Sequence, residues 1–104
     1  MSEFVFNNYV DFGIFLKVNS EDLLQEVNED IHEPVKSLLS LYENSKGGCG
    51  CNIKKRIELA KNAYINTIPV IFSNPEAISF AKRVLGCEKI IFNQQPDNMD
   101  ILII

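Results

Sequence analysis

Ile68-Pro69-Val70-Ile71-Phe72-Ser73-Asn74-Pro75-Glu76, continued by Ala77-Ile78-Ser79-Phe80-Ala81-Lys82-Arg83-Val84-Leu85-Gly86 and Cys87-Glu88-Lys89-Ile90-Ile91-Phe92, is the stretch on which the fold turns. Residues 68–72 read as a buried strand with proline near its start, where a missing donor is tolerated. Ser73-Asn74-Pro75-Glu76 is a helix-start signature, a capping side chain followed by proline at the first helical position. Ile78, Ala81, Val84 and Leu85 then form one stripe, and Gly86 is a stop signal. Lys89–Phe92 reads as the next strand. Two strands joined through a helix of about eleven residues match the shortest parallel crossover, so a βαβ unit is the economical reading.

Upstream, Lys46-Gly47-Gly48-Cys49-Gly50-Cys51 is rich in helix breakers, and Asn52 is a cap for a helix carrying Ile53, Ile57, Ala60 and Tyr64 on one face. Ser20 followed by Glu21 and Asp22 marks another helix start, with Leu23, Leu24, Val27 and Ile31 at helical spacing. Pro34 ends or kinks that helix, and Val35, Leu38, Leu39 and Tyr42 resume the apolar face. Residues 3–18 read as a strand pair, because Phe12, Ile14, Leu16 and Val18 alternate with Gly13, Phe15 and Lys17 after the turn-like Asn7-Asn8. Downstream, Ile101-Leu102-Ile103-Ile104 is a final strand or a docking tail. The expected architecture is α+β: one two-layer domain over residues 1–104, with an N-terminal hairpin, two to three helices, and a C-terminal βαβ unit in a mixed sheet.

The chain has 104 residues, 46% hydrophobic, 10% aromatic and 23% charged, which excludes collagen-like, disordered and disulfide-dense scaffolds. This length buries one modest core, with no room left for a deep enclosed cofactor cavity. No stretch approaches the ~18 apolar residues of a membrane span, and Met1-Ser2-Glu3 opens no secretory leader, so no membrane partner is expected. Three cysteines, Cys49, Cys51 and Cys87, cannot all pair within one chain, which points to a reducing, cytoplasmic setting. Thirteen Ile and eleven Asn against four Ala and no Trp suggest AT-rich coding. The net charge of −4 is unevenly placed: residues 1–44 hold nine acids and two bases, and residues 45–104 hold five acids and eight bases. Glu21, Asp22, Glu26, Glu29, Asp30 and Glu33 form either the solvated face of an amphipathic helix or an acidic surface for a basic partner or a neighbouring copy.

Gly47-Gly48-Cys49-Gly50-Cys51-Asn52-Ile53-Lys54-Lys55-Arg56 is the stretch that composition leaves unexplained. Lys54, Lys55 and Arg56 fall in a first helical turn, where the macrodipole disfavours cations by up to about 1 kcal/mol each. Thiolates, a metal-thiolate centre, a phosphate or acidic partner groups would offset that cost. Cys49, Cys51 and Cys87 with His32 make up a Cys3His zinc ligand set, although a second cysteine pair is missing. Redox catalysis through a Cys49–Cys51 disulfide ranks below metal, because the ring is small and strained and the usual redox motif is CxxC. Lys46, Lys54, Lys55, Arg56 and Lys61 together form an anion- or nucleic-acid-binding candidate, against which stand the net negative charge and the lack of interleaved aromatic side chains.

Two resemblances bear on this segment. Cys49-Gly50-Cys51 resembles the tripeptide of A-type iron–sulfur carrier proteins, but here Cys87 follows the pair and Asn52 replaces the closing glycine. Leu41-Tyr42-Glu43-Asn44, Gly48-Cys49-Gly50-Cys51 and Lys54-Lys55-Arg56, with Ala60 and Tyr64, resemble small uncharacterised proteins encoded by marine tailed bacteriophages, over about a quarter of the chain. The second resemblance implies a viral gene expressed in an infected bacterial cytoplasm and carries over no activity.

No GxGxxG, Walker loop or HExxH motif occurs, and His32 has no nucleophile that spacing alone assigns to it. Glu29 and Glu33 are an i,i+4 pair on a solvated helix face, and Asp97 and Asp100 flank a turn. The expectation is a small non-enzymatic protein-interaction module without catalytic residues or cofactor, acting in the infected cell or the virion and binding a protein partner or itself. The alternatives are a structural zinc or iron–sulfur protein, and a nucleic-acid or phosphate binder.

Overall fold

Asn8 closes the first strand and opens the first helix. Its side chain accepts from the Val10 and Asp11 amides at 3.0 and 3.1 Å, while Asp11 accepts from the Asn7 N–H at 3.1 Å. This is capping chemistry, not a hairpin turn. The computed structural model describes residues 2–46 and 53–104. In it β1 is Glu3–Phe6 and α1 is Tyr9–Glu26, so the expected N-terminal hairpin is corrected to a strand and a helix. The alternation that pointed to a strand is also compatible with helical spacing: Phe12, Phe15, Leu16, Ser20 and Leu23 are buried, whereas Ile14 and Val18 face solvent. Ser20 lies inside α1 and caps nothing.

Gly13 shows why α1 sits where it does. A Cβ there would come within 2.1 Å of the Tyr42 ring, so glycine is the residue that lets α1 approach its neighbour this closely. That neighbour is α2, His32–Lys46, which follows a single 3-10 turn at Glu29–Ile31. Pro34 falls in the first turn of α2, where its missing N–H has no intrahelical partner to lose. Lys17 of α1 is paired with Glu43 of α2 at 3.3 Å.

The largest departure from expectation lies in the stretch quoted first. Residues 68–72 are not a strand: α3 runs Ile53–Ile71 and contains Pro69. Ala60, Tyr64, Ile68 and Phe72 recur every four residues and are all buried, so one apolar stripe continues through the proline and the helix continues with it. The remainder reads as expected. Asn74 accepts from the Glu76 and Ala77 amides, Pro75 opens α4 (Pro75–Leu85), and Gly86 ends it at φ 64°, with the Cys87 N–H returning to the Lys82 carbonyl. β2 is Lys89–Gln94 and β3 is Met99–Ile103.

The fold is α+β, with four helices and a mixed three-stranded sheet in the order β1-β2-β3 among the described residues. A parallel pairing exists, but it joins β1 to β2 across all four helices, which replaces the short C-terminal βαβ unit. β2 and β3 are antiparallel, with Ile101 as the extra residue of a bulge, and residues 101–104 are sheet and not a free tail. Phe12 and Phe92 each meet Phe6, Phe72 and one another with ring centroids 4.9 to 6.0 Å apart, Phe6 being stacked on Phe92 at 5.2 Å. These rings join the inner sheet face to the helical layer, and burying each contributes on the order of 2 kcal/mol.

Candidate functional site

The inner face of the sheet belongs to the core through Phe6, Ile90, Phe92 and Gln94, which alternate with outward-facing neighbours. The outer face is therefore set by register. Val5 lies beside Ile91, and Ile91 beside Ile103, so an apolar row crosses all three strands. Among the described residues no helix covers it: Val5 is 41% and Ile103 51% exposed. On one side of the row lies the Glu3–Lys89 ion pair at 3.5 Å. On the other, the Asn93 amide donates to Asp100 at 2.6 Å. The face is an apolar strip bounded by polar pairs.

Each strand is apolar on both faces, as Phe4-Val5-Phe6, Ile90-Ile91-Phe92 and Ile101-Leu102-Ile103-Ile104 show. Continuous apolar strands belong to sheets covered on two sides, and parallel pairs in particular are normally buried on both. Here the helices supply one cover. The outer face was not singled out from the sequence, although these uninterrupted runs were the signal for it. Its recognition also required knowing that residues 68–72 and 9–26 are helical and that every helix lies on the inner side.

The carboxyl ends of β1 and β2 gather Asn7, Asn8, Asn93, Gln94 and Gln95 near the start of α1, where ligands of parallel sheets often bind. Some of their groups bond one another, while the side-chain oxygens of Asn93 and Gln94 are buried without a hydrogen-bond partner. The Gln95 N–H donates to the Asn7 carbonyl at 2.9 Å, and the Gln94 amide donates to the Gln95 carbonyl at 2.7 Å. Tyr64, fully buried, donates its hydroxyl to the Asn93 carbonyl at 3.0 Å. Burial first, and the Asp11 carboxylate second, hold that phenol far above its ordinary range. A proton held so firmly does not serve general acid–base catalysis at neutral pH.

The residues singled out earlier fall as follows. Cys49 and Cys51 lie outside the described residues. Cys87 is half-buried against the core just past Gly86, and the His32 Nε2 lies 3.3 Å from the Val27 carbonyl. Among the described residues no group of three or more His, Cys, Asp or Glu side chains is arranged to hold a metal ion. Lys54 and Lys55 are exposed in the first turn of α3, Arg56 and Lys61 are half-buried further along it, and Lys46 ends α2. No acid shares that first turn. All six acids are exposed around the α1–α2 junction, and Glu26 is paired with Arg83 of α4. Among the described residues no helix is long and apolar enough to cross a membrane. No family model, curated protein or solved structure matches the chain.

Proposed function

We propose that the chain is a small non-enzymatic protein-interaction module that docks through the outer face of its sheet. The observation that carries this is the Val5–Ile91–Ile103 row, left without a helical cover on strands whose sequence is that of a sheet buried on both sides. The tightly held Tyr64 proton favours a binding role over catalysis. The resemblance to marine phage proteins supports a setting in an infected bacterial cytoplasm or in the virion.

The test is site-specific photo-crosslinking. A photoreactive residue at position 103, on the sheet, is compared with one at position 18 on α1 and one at position 55 on α3, in extract of the host cell. Discrete protein adducts from position 103 alone are the expected result. Adducts from position 18 or 55 with none from 103 would refute the assignment.

A second reading, binding of nucleic acid or phosphate, draws on the exposure of Lys54 and Lys55 in a helix start without acids. It requires affinity for DNA or RNA that falls steeply with salt and is lost when both lysines become Glu. Salt-insensitive or absent binding dismisses it.

A further inference from the structure

We infer that the occupant of the outer sheet face is a second copy of this chain, packed sheet to sheet about a two-fold axis; this rests on the reading of that face as the docking surface. The charges around the apolar row select the arrangement. An axis running along the row, across the strands, lays Val5 over Val5, Ile91 over Ile91 and Ile103 over Ile103 and reverses strand direction between copies. Lys89 lies two residues to one side of Ile91, and the Asn93–Asp100 pair lies to the other. The two-fold therefore brings Lys89 of each copy opposite Asn93 and Asp100 of the other. At the spacing of about 10 Å between packed sheets, a lysine side chain spans the gap to an aspartate. An axis along the strands instead sets Lys89, already paired with Glu3, over Lys89 and leaves Asp100 facing no cation.

The shared surface is small. Three strands at about 4.8 Å spacing, four to six residues long at about 3.3 Å each, present a face of roughly 15 by 17 Å. That is below what permanent dimers use, so the association is weak and reversible.

Sedimentation of the full chain from 20 µM to 1 mM is the experiment. A reversible monomer–dimer equilibrium is expected, abolished in both Ile103→Lys and Val5→Lys while their circular dichroism melts stay unchanged. Lys89→Gln and Asp100→Asn should each weaken the dimer by about two- to five-fold, and the double variant no more than either single, because both remove the same contact. A chain that stays monomeric at 1 mM overturns the inference. If position 103 still crosslinks a different protein, the docking face stands and only its occupant is wrong; if it crosslinks nothing, both fail. A dimer that survives Ile103→Lys and Val5→Lys also overturns the inference, and additive effects of Lys89→Gln and Asp100→Asn overturn the two-fold arrangement.

Discussion

Gly13 and Tyr64 are the residues at which the helical layer is most sensitive. Gly13→Ala should raise helix propensity by about 1 kcal/mol and still destabilise the protein by roughly 1–3 kcal/mol, since the added methyl enters the space of the Tyr42 ring. Denaturant unfolding of the two proteins checks this. Tyr64 links stability to alkaline pH. Its phenol titrates near 10 in the unfolded chain and well above that when folded, so its contribution is complete below about pH 10 and is lost as pH rises beyond it. Tyr64→Phe should cost about 1 kcal/mol at pH 7, from the lost hydrogen bond to the Asn93 carbonyl, and should flatten the fall in stability above pH 10 relative to the wild type. Equal alkaline slopes in the two proteins would contradict that origin.

At the scale of elements, the caps decide the reading. Asn8→Ala should destabilise by about 1 kcal/mol, because it leaves the Val10 and Asp11 amides without their acceptor. The same measurement on Ser20→Ala should show much less, since Ser20 is interior to α1. The reverse order would favour a helix that starts at residue 20. Asn74, Pro75 and Gly86 made α4 legible because cap, first-turn proline and left-handed stop are local signals that no distant contact overrides. α1 and the end of α3 were not legible for the opposite reason. Phe12 to Val18 is apolar at both strand and helix periods, and the decision falls to Gly13 meeting Tyr42 and to Asn8 acting as a cap. In residues 68–72, Pro69 and the β-branched side chains argue locally for a strand. The four-residue recurrence from Ala60 to Phe72 is the longer-range pattern, and it prevails because it seals the core.

For the whole molecule, charge and apolar surface are segregated. α2 spans about 22 Å, with Glu29, Asp30 and Glu33 at its start and Lys46 at its end, close in sequence to Lys54 and Lys55. The sheet face lies on the other layer and is lined by the apolar row. The charge segregation was visible in the sequence; the bare face was not, because it exists only once β1 and β2 are known to pair across all four helices. The face is tested most directly by recording ¹⁵N–¹H spectra of the wild-type chain at 20 µM and at 1 mM. Concentration-dependent shifts gathered on Val5, Lys89, Ile91, Asn93, Asp100 and Ile103 are predicted. Spectra that do not change, or shifts gathered instead on Val10, Ile14 and Val18 of α1, would contradict it.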